Sequence, residues 1–213
     1  QLKDDGLYEN TKKYYNILLY GSHKDEMKLQ KLLHNHMGSS MWNNNFKNFE
    51  TIHLGLGNDT AFFAGDPDNN IEVLGESGND AFTFNYALTK NITATGGNGV
   101  DTFNISTSPG TGKLTLQGGD GADTYSFNNS ISSTISAGGG NGTDTFSFLS
   151  ANITGDVTVT GGDGDDVFKF NTVNNGTGLT IKDYITTDDT FSFSSAAFQG
   201  TDAVSYTHLR AHE

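Results

Sequence analysis

An aspartate closes the same glycine-rich hexapeptide at near-constant intervals along this chain. The frame reads Leu54-Gly55-Leu56-Gly57-Asn58-Asp59, Gly75-Glu76-Ser77-Gly78-Asn79-Asp80, Gly96-Gly97-Asn98-Gly99-Val100-Asp101 and Gly118-Gly119-Asp120-Gly121-Ala122-Asp123. It continues as Gly139-Gly140-Asn141-Gly142-Thr143-Asp144 and Gly161-Gly162-Asp163-Gly164-Asp165-Asp166, then ends in the glycine-free Ile185-Thr186-Thr187-Asp188-Asp189. The aspartates step by 21, 21, 22, 21, 22 and 23 residues. Self-similarity at a period in the twenties marks a solenoid, whose units bury their apolar faces only by stacking on one another.

Between the corners the pattern has period two. After each aspartate come Ala81-Phe82-Thr83-Phe84, Thr102-Phe103-Asn104-Ile105, Thr124-Tyr125-Ser126-Phe127, Thr145-Phe146-Ser147-Phe148, Val167-Phe168-Lys169-Phe170 and Thr190-Phe191-Ser192-Phe193. Aromatics then point inward and small polar residues outward. Before each glycine pair lies a second alternating stretch, with Ile71 and Val73, Ile92 and Ala94, Leu114 and Leu116, Ile135 and Ala137, and Val157 and Val159 inward. These observations predict an all-β fold, a parallel β-roll or β-helix solenoid of about seven coils of 21–23 residues each. With strands about 4.8 Å apart the rod is on the order of 30 Å long, and its core is one or two side chains thick.

The composition divides the chain. The first fifty residues carry seven lysines, and Lys24 to His36 holds Met27, Leu29, Leu32 and Leu33 at uneven helical spacing, so residues 1–48 are expected to form a helix-containing cap or a degenerate coil. Alternation begins at Phe49-Glu50-Thr51-Ile52, which sets the repeat domain at residues 49–203. The last ten residues, Val204-Ser205-Tyr206-Thr207-His208-Leu209-Arg210-Ala211-His212-Glu213, break the repeat's composition and resemble a translated sequencing-library adapter. Residues 204–213 are therefore read as a non-native tail, and the chain as a fragment whose true ends lie elsewhere.

The repeats account for the whole of the formal net charge of −13: residues 51–203 hold eighteen Asp and Glu against Lys90, Lys113, Lys169 and Lys182. That density repels nucleic acid and anionic lipid, and it opposes compaction unless a cation neutralises it. There is no cysteine, so no disulfide or thiolate site is available and a hard cation such as calcium is the natural staple. No run reaches the roughly 18 apolar residues of a membrane span.

The unit G-G-x-G-x-D followed by an alternating strand resembles the nonapeptide of the repeats-in-toxin family of calcium-binding β-rolls. Gly161-Gly162-Asp163-Gly164-Asp165-Asp166-Val167-Phe168-Lys169 matches it at every position. Independently of the family, the glycines allow positive φ and expose carbonyl oxygens, and the aspartate adds a charged oxygen at a fixed place. The resemblance implies calcium as cofactor, with Asp59, Asp80, Asp101, Asp123, Asp144 and Asp166 as ligands beside backbone carbonyls, in a secreted or cell-surface bacterial protein. One departure matters. The family repeats its motif at both corners of a coil, whereas Ser108-Pro109-Gly110, Asn128-Asn129-Ser130 and Asn174-Asn175-Gly176 lack the aspartate. A single metal row is expected, and Leu179 to Phe193 resembles the segment that closes such arrays.

Other readings fare less well. Asp66-Pro67-Asp68-Asn69-Asn70 opens like a helix-loop-helix calcium loop, but Ile71 stands where glycine is needed and Ser77 where a bidentate Glu is needed. Phosphate loops occur once, before a helix, and are not acidic. A β-helix carbohydrate-active enzyme needs carboxylates with Lys, Arg or His on one face, yet His53 is the one histidine of the repeats and arginine is absent from them. His34 and His36 lack an accompanying carboxylate cluster. Thr60, Thr102, Thr124, Thr145 and Thr190 form an outward ladder broken by Ala81 and Val167, which keeps open a metal-independent solenoid with an ice- or surface-binding face. The expected role is a calcium-binding structural module, not an enzyme; a cell-surface or carbohydrate partner is left unspecified.

Overall fold

The computed structural model describes residues 40–42, 51–63, 67, 69–85, 87–106, 110–149, 153–171 and 178–194. The expected helix-containing cap, apart from 40–42, and the expected non-native tail lie outside these residues, as do His34 and His36. The described part is all-β, a parallel solenoid in which each coil contributes one strand to each of two sheets.

The first sheet takes the strand after each aspartate, with β1 ahead of them at one end. It runs β1 (Ser40–Trp42), β3 (Thr60–Phe63), β5 (Ala81–Phe84), β7 (Thr102–Ile105), β9 (Thr124–Phe127), β11 (Thr145–Phe148), β13 (Val167–Phe170) and β15 (Thr190–Phe193). The second takes the strand before each corner: β2 (Thr51–His53), β4 (Ile71–Ser77), β6 (Ile92–Asn98), β8 (Leu114–Asp120), β10 (Ile135–Asn141), β12 (Val157–Asp163) and β14 (Leu179–Lys182). From β3 to β15 and from β2 to β14 each strand pairs in parallel with its equivalent one coil away. Ile71 to Ser77 is a strand, which removes the helix-loop-helix reading of that stretch.

Period-two alternation puts identical residue types in line. Phe82, Phe103, Tyr125, Phe146 and Phe168 stand in one register, and their rings stack at centroid spacings of 4.9, 4.7, 4.5 and 5.3 Å. Offset stacks of this kind contribute about 0.5–1.5 kcal/mol per pair beyond burial. Against them the second sheet turns Val73, Ala94, Leu116, Ala137 and Val159, all buried. Tyr125 is the one hydroxyl-bearing ring of its row, and its OH donates to the Gly138 carbonyl. Burial pushes the phenol pKa far up, so it remains a donor. Tyr125→Phe keeps the ring and removes the hydroxyl's hydrogen bonding, so we expect a loss of about 1 kcal/mol, read as a lower urea midpoint at unchanged slope.

Two features depart from the plain reading of the repeat. The strands of the second sheet do not stop before the glycine pair. β6, β8, β10 and β12 run through it to the third motif residue, because the first glycine occupies the next inward position of the alternation and is buried. Second, Glu76 stands at φ 75 where the aligned residues are Gly97, Gly119, Gly140 and Gly162 at φ 111 to 120. The left-handed region costs an L-residue about 1–2 kcal/mol, while the half-exposed pair of Glu76 with His53 Nδ1, 2.7 Å apart, returns about 0–1 kcal/mol. Glu76→Gly should therefore raise stability by about 0.5–1 kcal/mol, seen as a higher urea midpoint.

Candidate functional site

The corner that follows each glycine pair carries its aspartate inside the solenoid. Asp59, Asp80, Asp101, Asp123, Asp144 and Asp166 are 0 to 7% exposed. They form one continuous ladder: the N–H of Asp59 donates to Asp80 Oδ1 at 2.8 Å, that of Asp80 to Asp101 Oδ1 at 2.7 Å, and that of Asp101 to Asp123 Oδ1 at 2.7 Å. Asp123 donates to Asp144 Oδ1 at 2.7 Å, Asp144 to Asp166 Oδ1 at 2.9 Å, and Asp166 to Asp189 Oδ1 at 2.9 Å. Each carboxylate is thus held by the coil before it, and the ladder has a direction. All six aspartates expected from the motif are brought into one line.

From Asp80 to Asp166 the ladder uses one oxygen of each carboxylate. Oδ2 of Asp80, Asp101, Asp123, Asp144 and Asp166 is buried without a hydrogen-bond partner. The reason for glycine at the first motif position follows from these oxygens. A Cβ on Gly75, Gly96, Gly118, Gly139 or Gly161 would collide with Oδ2 of the aspartate in its own corner. On Gly75, Gly118 and Gly139 it would also meet the carbonyl oxygen of Gly96, Gly139 and Gly161 respectively, one coil further on. A charged and a neutral oxygen therefore flank the same glycine cradle, a donor set suited to a hard cation.

The electrostatics of this line are unfavourable on their own. Burial raises the carboxyl pKa of Asp80, Asp101 and Asp123 to about 6 and that of Asp144 to about 7. The hydrogen bond from the preceding N–H opposes the shift in each case, and for Asp80, Asp101 and Asp144 neighbouring aspartates add to it. Asp166 moves in the same direction, again chiefly by burial. The charges acting on the line are those of other aspartates, and among the described residues no basic group offsets them. Among the described residues no three acidic or histidine side chains converge on one point. A cation here would have to complete its shell with backbone carbonyls or water.

The described residues of the other corner are tied to one another by protein hydrogen bonds. Asn91 N–H donates to Asn70 Oδ1 at 3.0 Å and Lys113 N–H to Asn91 Oδ1 at 2.9 Å, while the Gly155 N–H donates to the Ile131 carbonyl. Two residues that the motif did not single out as functional belong to the first corner. Asp189 continues the ladder, and Asp183 accepts from Gly161 and Gly162 N–H. The 23-residue step to Asp189 was the signal for the former; nothing in the pattern pointed to the latter.

The threonine ladder lines up as expected, Thr102 with Thr124 with Thr145. The second sheet carries an equivalent row of Thr93, Thr115, Ser136, Thr158 and Thr180. Hydroxyl rows on both sheets follow from strand propensity at solvent-facing positions and single out neither face. No helix among the described residues is long and apolar enough to cross a membrane. No protein-family model, curated protein or solved structure matches the chain.

Proposed function

We propose that the solenoid is a calcium-stabilised structural module of the repeats-in-toxin kind, a spacer, adhesive or folding segment of a protein that works outside the cell. The observation that carries this reading is the line of five buried carboxylates, Asp80 to Asp166, each with an oxygen that no protein donor reaches. The ligands in this reading are those oxygens together with backbone carbonyls such as Gly96, Gly139 and Gly161, and Asp59 belongs to the first corner of the same line. The ion supplies positive charge that offsets burial and mutual repulsion, so its binding free energy becomes folding free energy. One motif per coil means one row of ions.

Extracellular calcium modules have dissociation constants of about 10⁻⁴ to 10⁻³ M, so the apo chain stays loose where calcium is scarce and folds after export. Catalysis has no part in this reading. The test is far-UV circular dichroism at pH 7.5 of the chelated chain titrated with CaCl₂ and, separately, MgCl₂. We expect a coil-to-β transition near millimolar calcium and none with magnesium, whose octahedral demands a glycine-and-aspartate corner does not meet. A β spectrum that is unchanged in chelator would remove calcium from the fold and leave a bare solenoid.

A further inference from the structure

The last coil is built differently from the six before it. β14 ends at Lys182, whose register partner is Thr160, and the next residue, Asp183, turns away at φ 58. Its carboxylate takes the place of the missing strand, Oδ1 accepting the Gly161 N–H at 3.0 Å and Oδ2 the Gly162 N–H at 3.1 Å. Asp189 meets the Asp166 N–H with Oδ1, as the ladder requires. Its Oδ2, however, accepts the N–H of Ile185 at 2.7 Å. The turn closes on itself through Asp188 N–H and Asp189 N–H, both donated to the Ile185 carbonyl at 3.1 and 2.8 Å. Tyr184 lies over the end of the aromatic stack, 4.3 Å from Phe191 between centroids.

We infer that Asp183 and Asp189 form an ion-independent end cap, so that the row of ion sites stops at Asp166 although the repeat frame continues to Asp189. The inference rests on the calcium reading above for the row itself; the cap stands on hydrogen bonds alone. In the five interior corners the second carboxylate oxygen is left for a cation. In the cap, backbone N–H groups do that work, and hydrogen bonds from N–H to an ionised carboxylate are among the stronger ones. The glycine-free corner fits this assignment, because a corner without a cation has no use for a cradle. The device also covers the end of β12 that β14 is too short to pair: the Gly161 and Gly162 donors are occupied by a side chain instead of by another strand.

The experiment compares the full chain with Asp144→Asn and Asp189→Asn by calorimetric titration with CaCl₂, and with Asp183→Ala by amide hydrogen exchange in the folded state. Asp189→Asn keeps an oxygen for the Asp166 N–H, so the ladder survives the change. We expect Asp144→Asn to bind fewer calcium ions than the parent and Asp189→Asn to bind the same number. A reduced count in Asp189→Asn, matching that in Asp144→Asn, would overturn the assignment. We further expect Asp183→Ala to speed exchange at Gly161 and Gly162 while leaving Gly118 and Gly119 protected; unchanged exchange at Gly161 and Gly162 would overturn the cap. If no form binds calcium, the calcium reading fails by itself, and exchange in Asp183→Ala still decides the cap.

Discussion

Alanine at Gly139 abolishes the cooperative β fold, or lowers its stability by more than about 3 kcal/mol, whereas alanine at the adjacent Gly138 is tolerated within about 0.5 kcal/mol. The contrast follows from what each missing side chain would meet. A Cβ on Gly139 lands on Asp144 Oδ2 and on the Gly161 carbonyl oxygen. The carbonyl belongs to backbone paired within the sheet, and the carboxylate is pinned by the Asp123 N–H at 2.7 Å, so neither can give way. A Cβ on Gly138 points outward and meets only the end of Gln117, at 3.0 to 3.5 Å, which is a flexible, exposed side chain. The φ of neither glycine lies in the left-handed region, so backbone strain does not enter and the difference isolates space.

Position along the rod amplifies the effect. In a solenoid each unit is stabilised by its neighbours, and Gly139 sits in β10, between β8 and β12. A lesion there cuts the stack near its middle and removes the stacking that couples the coils on its two sides. Urea unfolding of both variants, followed by circular dichroism, checks the prediction. Equal losses at the two positions would mean that the cradle beside Oδ2 is not tightly closed.

Much of this architecture was legible in the pattern of residues, for a physical reason. A solenoid has no long-range topology to guess: the period gives the coil, the period-two alternation gives the inward rows, and stacking forces equivalent residues such as Phe82, Phe103 and Tyr125 into register. The six aspartates could be aligned on the same grounds. What the pattern hid is how the corner works. Glycine reads as a residue chosen for positive φ, and that holds for Gly97 and Gly99, at φ 111 and 136. It does not hold for Gly96, which is glycine because the Asp101 carboxylate fills the space. A side chain that folds back over its own corner is invisible to spacing. The cap was hidden for a related reason: Asp183 acts through a single left-handed residue and two backbone donors one coil away, and neither leaves a periodic trace.

In metal-free buffer the solenoid is most stable in mild acid and loses stability as the pH rises toward neutrality. The direction follows from the carboxyl groups. Their pKa in the unfolded chain is the ordinary carboxylate value, about 3.9, and in the fold burial lifts it to about 6 for Asp80, Asp101 and Asp123 and to about 7 for Asp144. Between those limits the folded state binds more protons than the unfolded one, so stability falls with pH by up to about 1.4 kcal/mol per unit for each carboxylate. Below about pH 4 both states are protonated and the penalty is absent; above about pH 7 both are ionised and it is fully present. Urea midpoints recorded in metal-free buffer from pH 4 upward should therefore decline until the β signal is lost toward neutrality, and a rise with pH would mean that the line is held as anions by donors of the protein itself. Calcium should reverse the decline at pH 7.5 and do much less at pH 5, where each ion has to displace protons from its ligands. Titration with CaCl₂ near pH 6.5, in buffers of different ionisation enthalpy, should accordingly report net proton release. The same buried oxygens that make the apo fold a poor one at neutral pH would then be what couples folding to the cation.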